Sequence, residues 1–259
     1  MCHRHDERRP RRDGKIKEAG AKLILNMENP WIKLSKTEPF ILESDKESIE
    51  RFNLISKSEH ILHTHLLPIP FLGNPSAPIL LLNLNPGFHC DDNVCQKTIK
   101  FEDASRNCLV HGEADYPLYF LDSLLEGQQG GAGYKWWSRI LSQLLKKFDA
   151  KLLSQNIFCV EYFPYRSIKF RQQKKILDSQ LYGFHLVRLA MQRQAQIILM
   201  RAKKHWFQAI PELASYNKDK LHTLKNPRNP SISEGNLPES FNEIICTIER
   251  ARNLPLCAQ

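Results

Sequence analysis

Long apolar runs are missing from this chain. The densest, Ile79-Leu80-Leu81-Leu82, falls far short of the roughly 18 residues that a bilayer-spanning helix needs. A membrane-spanning protein is therefore excluded. The seven cysteines, an odd number spread from Cys2 to Cys257, do not form the dense framework of a small secreted domain. A reducing cytoplasm is the expected compartment. The first 26 residues lack the apolar core of a secretory signal. No internal repeat or long low-complexity tract is present, and 42% apolar with 25% charged residues excludes collagen-like, coiled-coil and wholly disordered classes. Acidic residues are in deficit, 28 against 37 Lys plus Arg, giving a formal charge of +9. That excess favours a polyanionic partner, with nucleic acid and an anionic membrane surface equally served by charge alone.

A length of 259 residues allows one large domain or two small ones, and one core is the simpler reading. Residues 1–26 carry eight basic and four acidic side chains, and a more ordinary sequence begins at Met27. They read as a disordered tail, or as residues ahead of the true start, leaving 27–259 as a single domain. Residues 28–75, punctuated by Pro30, Pro39, Pro68, Pro70 and Pro75, read as an N-terminal wrapping segment. The organised part begins at Pro78. Ile79–Leu84 and Ile157–Phe163 read as strands buried on both faces, each stopped by a proline turn. Ile197–Met200 and Leu221–Leu224 follow as a third and a weaker fourth strand. Helical spacing predicts helices over 134–148, 173–194 and 203–214, and a last one opened by a capping box at Asn236 and Glu239 with Pro238 in its first turn. Strand and helix alternate about four times. The expected fold is an α/β three-layer sandwich around a central, mostly parallel four-stranded sheet.

Ligands in such sheets bind outside the carboxyl ends of the strands. Three segments leave those ends with unusual chemistry: Asn83-Leu84-Asn85-Pro86-Gly87-Phe88, Glu161 to Ser167, and Asn226-Pro227-Arg228-Asn229-Pro230-Ser231-Ile232-Ser233. They are expected to converge on one site.

Through Leu84-Asn85-Pro86-Gly87 and Asn229-Pro230-Ser231-Ile232-Ser233, in this order, residues 70–252 resemble the uracil-DNA glycosylase superfamily, in the Asn-Pro-Gly form of its mismatch-specific branch. The resemblance implies a monomeric, monofunctional DNA glycosylase. It would flip a modified or mismatched pyrimidine out of double-stranded DNA and hydrolyse its N-glycosidic bond without metal or other cofactor. By the same resemblance Asn85 orients the attacking water and Asn229 donates to a carbonyl oxygen of the leaving base. An amide oxygen can hold the water and face a cationic sugar, but it cannot take up a proton. Ser231 and Ser233, with Pro230 fixing the turn, would hold phosphates through hydroxyl and backbone N–H groups.

Asn83, Gly87, Phe88 and Glu161 are the candidates for binding the base. Gly87 stands where uracil-specific members carry a Tyr that blocks the pyrimidine 5-position. Glu161 takes the place of an Asn that reads uracil, and a carboxylate suits the amino group of cytosine better than O4 of uracil. These departures tilt the substrate towards a 5-substituted cytosine, hydroxymethylated or glucosylated, as in phage DNA. A uracil or mismatch repair enzyme is the alternative. Glu161 has a competing role as an ion-pair partner of Arg166. Phe88 is the best stacking candidate. Arg166, Lys169 and Arg228 are the proposed DNA contacts within basic runs that also include Arg171, Lys174, Lys175, Arg201, Lys203 and Lys204.

Two readings come from other classes. One is a non-catalytic module that recognises a modified base, admissible because position 85 is not a carboxylate. The other is a zinc-binding protein built on Cys90, Cys95, Cys108 and His111, whose spacing does not match a common finger. No metal is the preferred expectation.

Overall fold

A computed structural model describes residues 27–125 and 131–253; the basic stretch 1–26 lies outside them. The elements in chain order are α1 (Lys46–Leu54), β1 (Phe71–Leu72), β2 (Ile79–Asn83), α2 (Asp92–Cys95), α3 (Ile99–Leu109) and α4 (Ala132–Ile140). Then come α5 (Ser142–Leu145), α6 (Ala150–Asn156), β3 (Ile157–Glu161), α7 (Asp178–Gln192), β4 (Gln196–Leu199), α8 (Lys203–Ala209), β5 (Leu221–Thr223) and α9 (Phe241–Asn253).

The central sheet has five strands, in the order β1-β3-β2-β4-β5. Four are parallel. β2, β3 and β4 are buried at every position, as their apolar runs require, with helices covering both faces, while β5 is short and partly exposed. The fifth corrects the expected count. Phe71 and Leu72 pair antiparallel with Val160 and Cys159, adding an edge too short to carry a sequence pattern. Gly73 ends that edge at φ +99, where a side chain would run into the Ile157 carbonyl oxygen.

Parallel register places Asn83 opposite Glu161 and Leu82 opposite Leu199, so the carboxyl ends of the three central strands finish level. One apolar core runs from Trp31 to Ile248. The segment 28–75 is stitched to it by polar contacts. Buried Asp45 accepts from Tyr165 Oη at 2.8 Å and from the Ser179 N–H at 3.3 Å, while His63 and Ile69 donate backbone N–H groups to Arg166 and Pro164. Burial raises the Asp45 pKa against those two donors. The segment also contains α1, which the proline-punctuated reading left irregular.

The expected helices differ in detail: the one over 173–194 begins only at Asp178, and the one over 203–214 stops at Ala209, ahead of a 3-10 turn at Pro211–Ser215. The helix over 134–148 is interrupted at Leu141, because the Ile140 carbonyl accepts the Ile232 N–H at 2.8 Å and is lost to its own helix. Asn236 caps no helix, and α9 starts only at Phe241. Its amide instead holds the loop before it, donating to the carbonyl oxygens of Asn229 and Ser231, both at 2.9 Å, and to Ser231 Oγ at 3.0 Å. Among the described residues no helix is long and apolar enough to cross a membrane.

Candidate active site

A cavity of about 390 Å³ opens where β2, β3 and β4 end, and the segments that follow all three strands line it. Asn83, Asn85, Gly87, Phe88, Glu161 and Arg201 supply most of its chemistry. Its outer wall is built by Phe120, Trp136 and Trp137.

The turn after β2 is held rigidly. Its backbone runs beside residues 166–168, with Gly87 bridged to Ser167 and the Phe88 N–H donated to the Ser167 carbonyl at 3.2 Å. Asn85 Nδ2 donates to Ser167 Oγ and to the Pro86 carbonyl, both at 3.1 Å. With its NH2 spent, the carboxamide keeps its oxygen, an acceptor, for whatever enters the cavity. Nothing lies within 4 Å of a Cβ built on Gly87, so the wall is open there. Phe88 stacks one face on His63, ring centroids 3.5 Å apart and 11° from parallel. Burial, with Arg166 and His65 nearby, lowers the His63 pKa and keeps its ring neutral for that stack.

Glu161 is buried at the end of β3, and its Oε1 accepts from Asn83 Nδ2 at 2.9 Å. Its Oε2, together with Asn83 Oδ1, is buried without a partner among the described residues. Loss of solvation pushes the Glu161 carboxyl up to about 8, against the pull of the Asn83 hydrogen bond and the charges of Arg201 and Arg166. The strand end itself is fixed from behind, where Trp206 Nε1 donates to the Asn83 carbonyl at 2.8 Å.

Two arginines flank this pair. Arg166 is buried, donating to the carbonyl oxygens of Leu67 at 3.3 Å and Gly87 at 3.2 Å, with Asp92 Oδ2 at 3.6 Å. It braces the loop after β2 from inside the protein, where it also lines the cavity, unlike the exposed lysines of its basic run. Burial depresses its pKa, as the desolvation of a cation must. Arg201 lines the cavity from the end of β4, and its Nε is buried without a partner among the described residues. The next residue, Ala202, sits at φ 58, a left-handed conformation that costs a non-glycine residue about 1 kcal/mol.

Several sequence candidates lie elsewhere. Asn229 is exposed and, with Arg228, Pro230, Ser231 and Ser233, is not among the residues lining the cavity. Their loop docks on the far end of α4, whose first half forms the cavity wall. Ser231 and Ser233 share a hydroxyl contact at 3.2 Å. Lys169 is exposed and pairs with Glu59 at 3.1 Å. The cysteines do not converge: Cys108 is buried against the Phe71 carbonyl, and His111 bonds Tyr182. Among the described residues, those whose potential ligand atoms do cluster are the consecutive, exposed His89, Cys90 and Asp91. Ser167 and Arg201 were marked only as members of a strand-end segment and of a basic run, and His63 by no motif; their position beside the turn or strand end, seen in three dimensions, singles them out.

Comparison with family models, curated proteins and solved structures finds no match to this chain.

Proposed function

We propose that the chain is a DNA glycosylase that receives a flipped pyrimidine in the cavity at the strand ends and hydrolyses its N-glycosidic bond. The observation that carries this reading is Asn85. Its NH2 is pinned by Ser167 and Pro86, and its free oxygen belongs to a cavity of the size of a small ligand site, beside an aromatic ring backed by His63. That oxygen orients a water towards C1′ and faces the positive charge that grows on the sugar. Because an amide takes up no proton, bond breaking leads and water follows. Phe88 offers the base a stacking surface. Arg201 lines the cavity as a cationic donor with an unspent Nε, better placed than Asn229 to offset the electron density that moves onto the base as the bond breaks. The open wall at Gly87 leaves room for a substituent on the base.

The test is base release. Duplexes containing uracil, 5-hydroxymethylcytosine or glucosylated 5-hydroxymethylcytosine are incubated with excess protein and treated with alkali to cut abasic sites. Cleavage of at least one is expected; tight binding to one of them with no cleavage of any favours a non-catalytic base-recognition module. That second reading draws on one observation, the position of the Asn229 loop outside the cavity.

A further inference from the structure

The facing pair at the ends of β2 and β3 uses only half of each terminal group. Asn83 Nδ2 bonds Glu161 Oε1, while Asn83 Oδ1 and Glu161 Oε2 are left buried and unpartnered in residues that line the cavity. Each such atom costs about 1–3 kcal/mol until something meets it. A base edge lying against the pair would satisfy both atoms at once, so the pattern of donors and acceptors it offers identifies the edge.

As a neutral acid, Glu161 presents an O–H donor beside the Asn83 acceptor. Its complement is a ring nitrogen acceptor next to an exocyclic amine. Cytosine has that edge at N3 and N4; uracil and thymine carry the reverse, an N3–H donor beside an O4 acceptor. We infer that Asn83 and Glu161 read the N3/N4 edge of a cytosine-type base, Glu161 donating to N3 and Asn83 Oδ1 accepting from the N4 amine, an assignment that rests on the glycosylase reading. Adenine presents the same pair on a larger ring system.

The groups facing Glu161 bear on its proton. Arg201 comes from the end of β4, Arg166 from the loop after β3 with Asp92 as its own counter-ion, and Cys159 is a buried thiol on the same strand, its pKa well above the ordinary value. Burial outweighs the two cations, and a carboxyl titrating at about 8 is protonated in roughly tenfold excess at pH 7. The same proton serves the chemistry. It passes from Glu161 to N3 as the electrons of the C1′–N1 bond enter the ring, so the base departs neutral. The water oxygen bonds C1′ and releases its proton to solvent, and solvent returns one to Glu161.

The test measures binding and excision separately. Duplexes carrying one cytosine, 5-hydroxymethylcytosine, uracil or adenine, each opposite a tetrahydrofuran abasic analogue so that no base pair must be broken, are titrated by fluorescence anisotropy between pH 6 and 9. Single-turnover base release is followed on the same set. Wild-type protein is expected to bind the cytosine-type bases about tenfold or more tighter than uracil near pH 6.5. The preference should fade above pH 8. Glu161→Gln, whose amide also donates, should keep the preference and lose its pH dependence, while excising more slowly because an amide has no proton to give. Glu161→Ala should lose the preference, with circular dichroism confirming that both variants fold. Preference for uracil or adenine, or a cytosine preference abolished by Glu161→Gln, overturns the inference. Cytosine preference without release of any base leaves the edge reading standing and removes the glycosylase; release of uracil without cytosine preference does the opposite.

Discussion

The two ends of the same strands carry two different cavities. At the amino ends, the segments leading into β2 and β3 border a depression of about 1080 Å³, lined by residues such as Asn74, Asn107, His111 and Gln155. It is much the larger of the two. Among the described residues, its one buried side-chain atom without a partner is Nδ1 of His111, in a ring stacked on Phe71 and driven by burial down to about 4, hence neutral. The carboxyl-end cavity is smaller, but Asn83, Glu161 and Arg201 all line it with unspent hydrogen-bonding atoms. Volume does not distinguish a site from a dent. Buried polar groups left unsatisfied do, because each lowers stability unless a ligand or function compensates for it.

That contrast sets the size of the effects expected. Gly87→Tyr should close the open wall, slowing excision of a 5-substituted base by roughly 100-fold while sparing an unsubstituted one within about tenfold, as single-turnover rates on the two substrates will show. Equal losses on both would mean that the 5-position does not face Gly87. Glu161→Gln sharpens the comparison through stability. Since the folded carboxyl titrates at about 8 and an unfolded one near 4.3, wild-type protein is not penalised below the unfolded value and loses stability as pH rises to about 8. Unfolding free energies of the two proteins, from urea titrations, should therefore diverge between about pH 4.5 and 8.5, by about 2–4 kcal/mol in favour of Gln. Asn236→Ala removes four hydrogen bonds that shape the loop bearing Asn229, three donated by its amide and one accepted from the Asn226 N–H, at about 1–2 kcal/mol by the same measurement. The smallest change belongs to Arg228→Ala on that exposed loop, a few-fold weaker DNA binding with the salt slope reduced by about 1.

Legibility in the sequence followed the same division. The three central parallel strands were written as apolar runs, because burial on both faces leaves little other composition for them, and the turn at Asn85 could be located from the proline after it; β5, Leu221-His222-Thr223 and partly exposed, gave only a weak signal. The antiparallel edge was not, since two residues make no period. Arg166 sits in a basic run whose other members, Lys169, Arg171, Lys174 and Lys175, are exposed. Charge patterning cannot tell which member of such a run turns inward to meet Gly87 and Asp92. Asn236 carried the spacing of a helix cap, yet its side chain serves the loop behind it. The His63–Phe88 stack and the Asn83–Glu161 pair join residues distant in the chain, and no local signal encodes such meetings.

The most direct test compares one residue from each end of the sheet. Asn85→Ala and Gln155→Ala, the latter in the amino-end cavity, are assayed beside wild-type protein for base release under single turnover, with duplex binding measured in parallel. Release slowed about 100-fold or more by Asn85→Ala, with binding retained and Gln155→Ala unchanged, is the result predicted for a water held by the carboxamide. Release that proceeds equally well without Asn85 would contradict it.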